Sequence, residues 1–174
     1  PISKLPGLCR IMQSALNYRL IYFCIKNEII RPGNSAFQPN KNTEDITIRL
    51  CQKILKSFEK KSFIELTFMD LKSAYDSVWI DGFFHKLINL YKIDGAFIKF
   101  EFNYLDHRYN RVEFNGFKTN WTDSRKCLAQ GDPISTTFFN LFLNDFNSDN
   151  KLIEFENFAD DSSLSTNNNN NNIK

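Results

Sequence analysis

No run of apolar residues in this 174-residue chain is long enough to cross a bilayer. The longest, Leu20 to Ile25, falls far short of the roughly 20 residues a spanning helix needs. No charged start followed by an apolar stretch reads as a signal peptide, so the expectation is an intracellular protein, in nucleus or cytoplasm, neither secreted nor membrane-bound. Cysteine is scarce. The four, at positions 9, 24, 51 and 127, lack metal-ligand spacing and read as reduced thiols rather than a zinc site or disulfides. No internal repeat stands out. Net charge is also small, +2, and by itself says little about partners.

What is present says more. An apolar content of 42% at this length suits one domain with a real core, and 18 Phe dominate the aromatics. Charge is unevenly spread. Residues 1–61 hold 11 Lys/Arg against 4 Asp/Glu, and residues 62–174 hold 11 against 16. A basic first third suits phosphates, an acidic remainder suits divalent cations, and both also fit ordinary solvated faces.

Leu8, Ile11, Met12, Ala15, Leu16, Leu20 and Phe23 recur at helical spacing and predict a helix over about 8–24 with that apolar face. Arg31 to Asn42 reads as a loop. Thr43-Glu44-Asp45 starts a second helix with apolar face Ile46, Leu50, Ile54, Leu55 and Phe58. Phe63 to Met69 reads as a buried strand ending at Asp70. Asp81 is expected to cap a helix carrying Phe84, Leu87, Ile88 and Tyr91, with another helix over 95–105. Asn115-Gly116 is a strong hairpin signal. Pro133 to Phe146 reads as a helix, and Phe155 to Leu164 as two short strands turning near Asp160-Asp161. Asn167 to Asn172 reads as a disordered low-complexity tail. The pattern is mixed α/β, an antiparallel sheet with helices on one face.

Three carboxylate-bearing segments follow in order: Asp70-Leu71-Lys72-Ser73-Ala74-Tyr75-Asp76, Gln130-Gly131-Asp132-Pro133-Ile134-Ser135 and Phe158-Ala159-Asp160-Asp161. Nucleotide addition needs a primer hydroxyl to attack an α-phosphorus while pyrophosphate leaves. Two divalent ions about 3.5–4 Å apart stabilise both oxygens, and Mg²⁺ takes hard oxygen ligands from one or two carboxylates plus phosphates. Asp70 at a strand end and Asp160-Asp161 at a hairpin turn meet this need if their strands are neighbours. The competing readings are plain: a polar turn for Asp160-Asp161, a cap for Asp76, a loop-to-helix entry for Gln130-Gly131. In the functional reading, Gly131 lets backbone approach a ligand and Gln130 offers both a donor and an acceptor.

The order and spacing resemble a reverse transcriptase of the kind encoded by LINE-type retrotransposons, which lack long terminal repeats. Six segments carry the resemblance: Pro1 to Leu20, Asn34 to Asp45, Asp70 to Leu87, Tyr104 to Phe117, Gln130 to Phe146, and the Phe158-Ala159-Asp160-Asp161 box. It implies an α+β, right-hand polymerase fingers–palm fragment, with an antiparallel palm sheet, helices packed on one face and the thumb missing. Residues 1–61 would be partial fingers, 62–166 palm, and 167–174 an Asn-rich tail. The implied activity is RNA-directed DNA polymerase, a nucleotidyltransferase using two Mg²⁺ ions, or Mn²⁺ in their place. The implied partners are RNA template, DNA primer and deoxynucleoside triphosphates; protein partners are left open. Asp70 and Asp160 would be the main metal ligands and Asp161 a supporting carboxylate, with the Leu71 carbonyl near a metal. Tyr75 would be the steric gate against a ribose 2′-hydroxyl. Gln130 and Gly131 would line the nucleotide pocket, and Phe158 would flank the primer end.

The chain departs from the family's pattern. Ala36-Phe37-Gln38 stands for Gly-Phe-Arg, Cys127 and Ala129 stand for Gly and Arg in the segment before Gln130, and Thr136 stands for Pro. A β-carbon at a former Gly strains backbone that needs positive φ. The alternative reading is therefore a truncated, inactive relic with at most residual nucleic-acid binding. A viral RNA-dependent RNA polymerase or intron maturase fits the Ala74-Tyr75-Asp76-Ser77-Val78-Trp79 run less well.

Overall fold

β1 (Phe63–Asp70), β6 (Ile153–Phe158) and β7 (Asp161–Asn168) form an antiparallel sheet in the order β1-β7-β6. A computed structural model describes residues 2–124, 127–146 and 153–168. The other elements are α1 (Gly7–Lys26), α2 (Thr43–Glu59), a 3₁₀ turn at Tyr75–Ser77, α3 (Ile80–Asn89), α4 (Ala96–Asp106) and α5 (Pro133–Leu143). Four two-residue strands join them: β2 (Tyr109–Asn110), β3 (Glu113–Phe114), β4 (Phe117–Lys118) and β5 (Thr122–Asp123). The expected α+β fold with an antiparallel sheet is the fold observed. The chain divides into two compact units, one of Pro1–Leu20 with Ser73–Phe142, the other of Ile21–Lys72 with Leu143–Lys174.

The first unit is built on phenylalanine. Phe83 on α3 meets Phe138 on α5 at 5.0 Å between ring centres, Phe84 meets Phe102 at 5.2 Å, and Phe97 meets Phe138 at 6.4 Å. Tilted and edge-on pairs of this kind add about 0.5–1.5 kcal/mol each beyond burial. The Tyr91 hydroxyl donates to the Leu141 carbonyl at 2.8 Å, tying the end of α3 to α5. Asn115 and Gly116 take φ of 47° and 81°, the signs a type I′ turn demands, between β3 and β4 as expected.

In the second unit α2 packs on β1 and β6. Its N-cap is Asn42, one residue before the expected Thr43. The Asn42 side chain accepts from the Asp45 amide while the Asp45 carboxylate accepts from the Asn42 amide. The face α2 turns to the sheet carries Arg49 and Lys53, because both reach Glu156 on β6. Leu55 and Phe58, expected on the inner face, are instead exposed.

Other expectations change for comparable reasons. α1 carries a polar stripe of Arg10, Gln13, Ser14 and Asn17 beside its apolar one, and it does not bury the apolar face that the spacing predicts. The structure buries Gln13, Leu20 and Cys24 and leaves Leu8 and Ile11 exposed. Gln13 is drawn in by α4, where its Nε2 donates to Glu101 Oε2 at 3.5 Å. β1 is an edge strand with Phe63 and Phe68 exposed, not a buried one. Asp81 lies inside the first turn of α3, whose N-cap is Trp79. Asn167 and Asn168 pair with Ile64 and Phe63 as the end of β7, and the rest of the Asn run lies outside the described residues.

Candidate active site

The sheet register sets the carboxylates. β1 and β7 align so that Asp70 lies directly opposite Asp161. Side chains of directly opposed residues share a face, typically with Cβ atoms about 4.5–5.5 Å apart. Phe158 also pairs with Asp161, which leaves Ala159 and Asp160 as a two-residue hairpin loop. Asp70, Asp160 and Asp161 are all exposed. The register therefore brings Asp161, rather than Asp160, face to face with Asp70. Asp160 sits beside this pair at the loop. Among the described residues no three His, Cys, Asp or Glu side chains come together as a complete metal site. A directly opposed pair of exposed hard-oxygen donors suits Mg²⁺, which binds through one or two carboxylates plus substrate phosphates. Like charges opposed across a ladder are destabilising, and a cation removes that cost.

The loop holding Asp160 is strained. Ala159 has φ of 57°, a left-handed conformation that costs an L-residue about 1–2 kcal/mol. Positive φ at the first loop residue alone is the sign pattern of a type II′ hairpin turn. Phe158 is half-buried, its ring 6.5 Å from that of Phe37, itself at φ of 52°. Leu71 follows β1 directly and is exposed.

Residues the sequence did not single out hold the hairpin in place. Glu156, 5% exposed, accepts from Arg49 Nε at 2.8 Å and Lys53 Nζ at 2.6 Å. Lys53 also reaches Ser165 Oγ at 3.2 Å, so α2 grips both strands of the hairpin. Along β6, the Asn157 amide donates to Gly33 O at 2.9 Å and the Ser35 amide donates to Asn157 O at 3.1 Å. Arg31 Nη2 donates to the Asn157 side chain at 3.2 Å. A Cβ on Gly33 would stand 2.4 Å from the Phe155 carbonyl oxygen, so only glycine fits. The available signal was weak: an i, i+4 Arg-Lys pair on a helix whose partner acid lies over a hundred residues away.

The first unit gathers Tyr75, Gln130 and Gly131. Ala129 to Asp132 is a β-turn closed by the Asp132 amide donating to Ala129 O at 3.1 Å. Gly131 has φ of 106°, as the third residue of a type II turn requires, and a Cβ there would lie 2.8 Å from Ser3 O. Gln130 and Gly131 are exposed, and the turn is braced by the Ser3 amide donating to Gln130 O at 2.7 Å. Tyr75 is half-buried; its ring stacks on Phe139 of α5 at 5.0 Å, and its carbonyl accepts from the Leu128 amide at 3.1 Å. Behind the turn, Asp132 is buried and Tyr104 donates to its Oδ2 at 2.8 Å. Burial raises the carboxyl pKa of Asp132, and burial with the nearby Asp132 charge pushes Glu101 up to about 8.

The departures from the family pattern fit without strain. Neither Cys127 nor Ala36 has positive φ, so the added β-carbons cost nothing of the expected kind. Cys127 instead joins a site around Arg108, whose Nη2 donates to the Cys127 carbonyl at 2.8 Å. Gln38 donates to the Asn34 carbonyl. Lys126 lies outside the described residues. All four cysteines are free, and burial pushes the Cys24 thiol up to about 12.

The fold is that of a reverse-transcriptase-type polymerase. It is similar to the structure of apo telomerase from Candida tropicalis truncated from its C-terminal domain, with a TM-score of 0.61 at 12% identity, covering 91% of this chain and 34% of that one. The family model for reverse transcriptase (RNA-dependent DNA polymerase) matches residues 1–174, and the chain belongs to that family. It is 24% identical over 173 residues to the RNA-directed DNA polymerase from mobile element jockey of Drosophila melanogaster, covering 95% of this chain and 19% of that protein. To the probable RNA-directed DNA polymerase from transposon BS of the same organism it is 24% identical over 145 residues, covering 83% and 16%. The chain thus spans about a fifth of the length of the curated relatives it matches. The resemblance to a retrotransposon enzyme is borne out. No helix among the described residues is long and apolar enough to cross a membrane.

Proposed function

We propose that this chain carries RNA-directed DNA polymerase chemistry, adding deoxynucleotides to a primer 3′-hydroxyl on an RNA template. The observation that carries it is the register placing Asp70 opposite Asp161, with Asp160 in the adjoining two-residue loop. Asp70, Asp161 and Asp160 would hold Mg²⁺, or Mn²⁺ in its place, with the Leu71 backbone carbonyl near a metal. The bound ions would supply charge stabilisation for the attacking and leaving oxygens. Tyr75, fixed against Phe139, would act as the steric gate that favours deoxyribose. The turn at Gln130-Gly131 would line the nucleotide pocket, and Phe158 would flank the primer end. In this reading residues 1–61 are partial fingers, 62–166 palm and 167–174 an Asn-rich tail.

Primer extension on an RNA template tests it. Asp70→Asn is expected to lower incorporation by on the order of 100-fold or more, as removal of a metal ligand should. Unchanged incorporation would remove the assignment. A second reading, nucleic-acid binding without synthesis, is favoured by the uncharged Gln38 and Ala129 at places where the family carries Arg. It predicts retention of primer–template on a filter with no extension at any Mg²⁺ or Mn²⁺ concentration.

A further inference from the structure

Asp132 is the buried end of the turn that displays Gln130 and Gly131, and it does three things at once. Its amide closes the turn on Ala129 O at 3.1 Å. Its carbonyl accepts from the Ser135 amide at 3.1 Å, and its Oδ1 accepts from the Ile134 amide at 3.3 Å, which starts α5. Its Oδ2 accepts from the Tyr104 hydroxyl at 2.8 Å, which anchors the turn to α4. The hydroxyl is itself set by Cys9 on α1, whose thiol donates to it at 3.8 Å. Asp132 is 1% exposed, so its carboxylate is settled by these partners and not by water.

We propose that Tyr104 and Asp132 form a bracket that positions the Gln130-Gly131 turn for the incoming nucleotide. Both are positioning residues: neither touches substrate, and each acts through the turn. The proposal rests on the reading of that turn as a nucleotide pocket. The physical argument is leverage. Gln130 and Gly131 are the two exposed central residues of a four-residue turn. Their directions are fixed by its ends: the buried Ala129 and, at the other end, a side chain held from two helices. Removing the tyrosine hydroxyl leaves Asp132 Oδ2 buried without its donor. Such a group regains a partner by moving toward water, and the turn moves with it.

Two measurements on the full 174-residue chain test the bracket. The first needs no catalysis. In Tyr104→Phe, hydrogen exchange at the amides of Asp132 and Ser3 is expected to rise by about tenfold, while amides in α3 keep their rates. Asp132→Ser keeps a capping oxygen but does not reach Tyr104. It should give the same rise, and the double variant should give no more than either single change. The second is steady-state incorporation of dTTP on an oligo(dT)-primed poly(rA) template. Tyr104→Phe should raise KM for dTTP by about tenfold with kcat nearly unchanged, whereas a merely structural loss would lower kcat through less folded enzyme. Unchanged exchange in Tyr104→Phe, or additive effects in the double variant, overturns the bracket whether or not the chain polymerises. Raised exchange with unchanged KM overturns its role toward the nucleotide. Raised exchange in a chain that neither binds dTTP nor extends a primer supports the bracket and removes the polymerase reading instead.

Discussion

Asp161 is held against its own interest in the absence of metal. It opposes Asp70 across the ladder, and two exposed carboxylates in that relation repel by roughly 0.2–1 kcal/mol. Asp161→Asn is therefore expected to stabilise the metal-free chain by a few tenths of a kcal/mol and, if the proposed site holds Mg²⁺, to shrink the rise in melting temperature on adding Mg²⁺. Thermal melts with and without Mg²⁺ check both signs, and a destabilised metal-free variant would contradict the opposed-charge account. Glu101 gives a second residue-scale outcome. Its carboxyl is fully buried and its pKa is raised from 4.5 to about 8, chiefly by burial. The folded state binds this proton more tightly than the unfolded chain. The contribution is thus fully present below about pH 4.5, declines as pH rises, and is lost above about 8. Glu101→Gln should remove that decline, so the stability gap between variant and wild type should widen in the variant's favour from pH 5 to 8, which urea melts across that window would detect.

At the scale of elements, the hairpin carrying Asp160 and Asp161 depends on α2 and on the loop before it. Glu156→Gln should cost about 2 kcal/mol, because the buried end of β6 loses a charge accepting from both Arg49 and Lys53. Arg49→Ala should cost less, since Lys53 still reaches Glu156. Gly33→Ala should cost about 2 kcal/mol or more, because the Phe155 carbonyl it would meet is backbone and cannot rotate away. Denaturant midpoints measure all three; a Gly33→Ala chain as stable as wild type would show that β6 is free to shift. Much at this scale was legible beforehand. The helices near 8–24 and 95–105, the Asn115-Gly116 turn and the Phe158–Asp161 hairpin followed from local periodicity and turn chemistry. The inward faces of α1 and α2 did not. Gln13 and Arg49 are buried or half-buried by acids 88 and 107 residues away, and no local pattern carries such a pairing.

For the whole molecule, the described surface holds a large number of exposed apolar side chains. Leu8, Ile11, Tyr18 and Tyr22 lie along α1, Phe114 and Phe117 on the β3–β4 hairpin, and Phe63 and Phe68 on β1. Surfaces of this kind associate. The chain should self-associate with rising concentration, and Leu8→Glu combined with Ile11→Glu should reduce that tendency without lowering stability. Light scattering across a concentration series reads the first outcome and a thermal melt the second.

The sequence alone determined the family this chain belongs to and much of its secondary structure. Motif order and spacing are properties of the chain, and they single out Asp70, Tyr75, Gln130, Gly131 and Asp160-Asp161 as candidate site residues. Only the tertiary structure decided which aspartate faces Asp70, because a one-residue change of strand register exchanges Asp160 for Asp161. It alone revealed the Arg49–Lys53–Glu156 grip and the Tyr104–Asp132 bracket. Those contacts join residues distant in the chain, and their strength comes from burial, which no linear pattern contains.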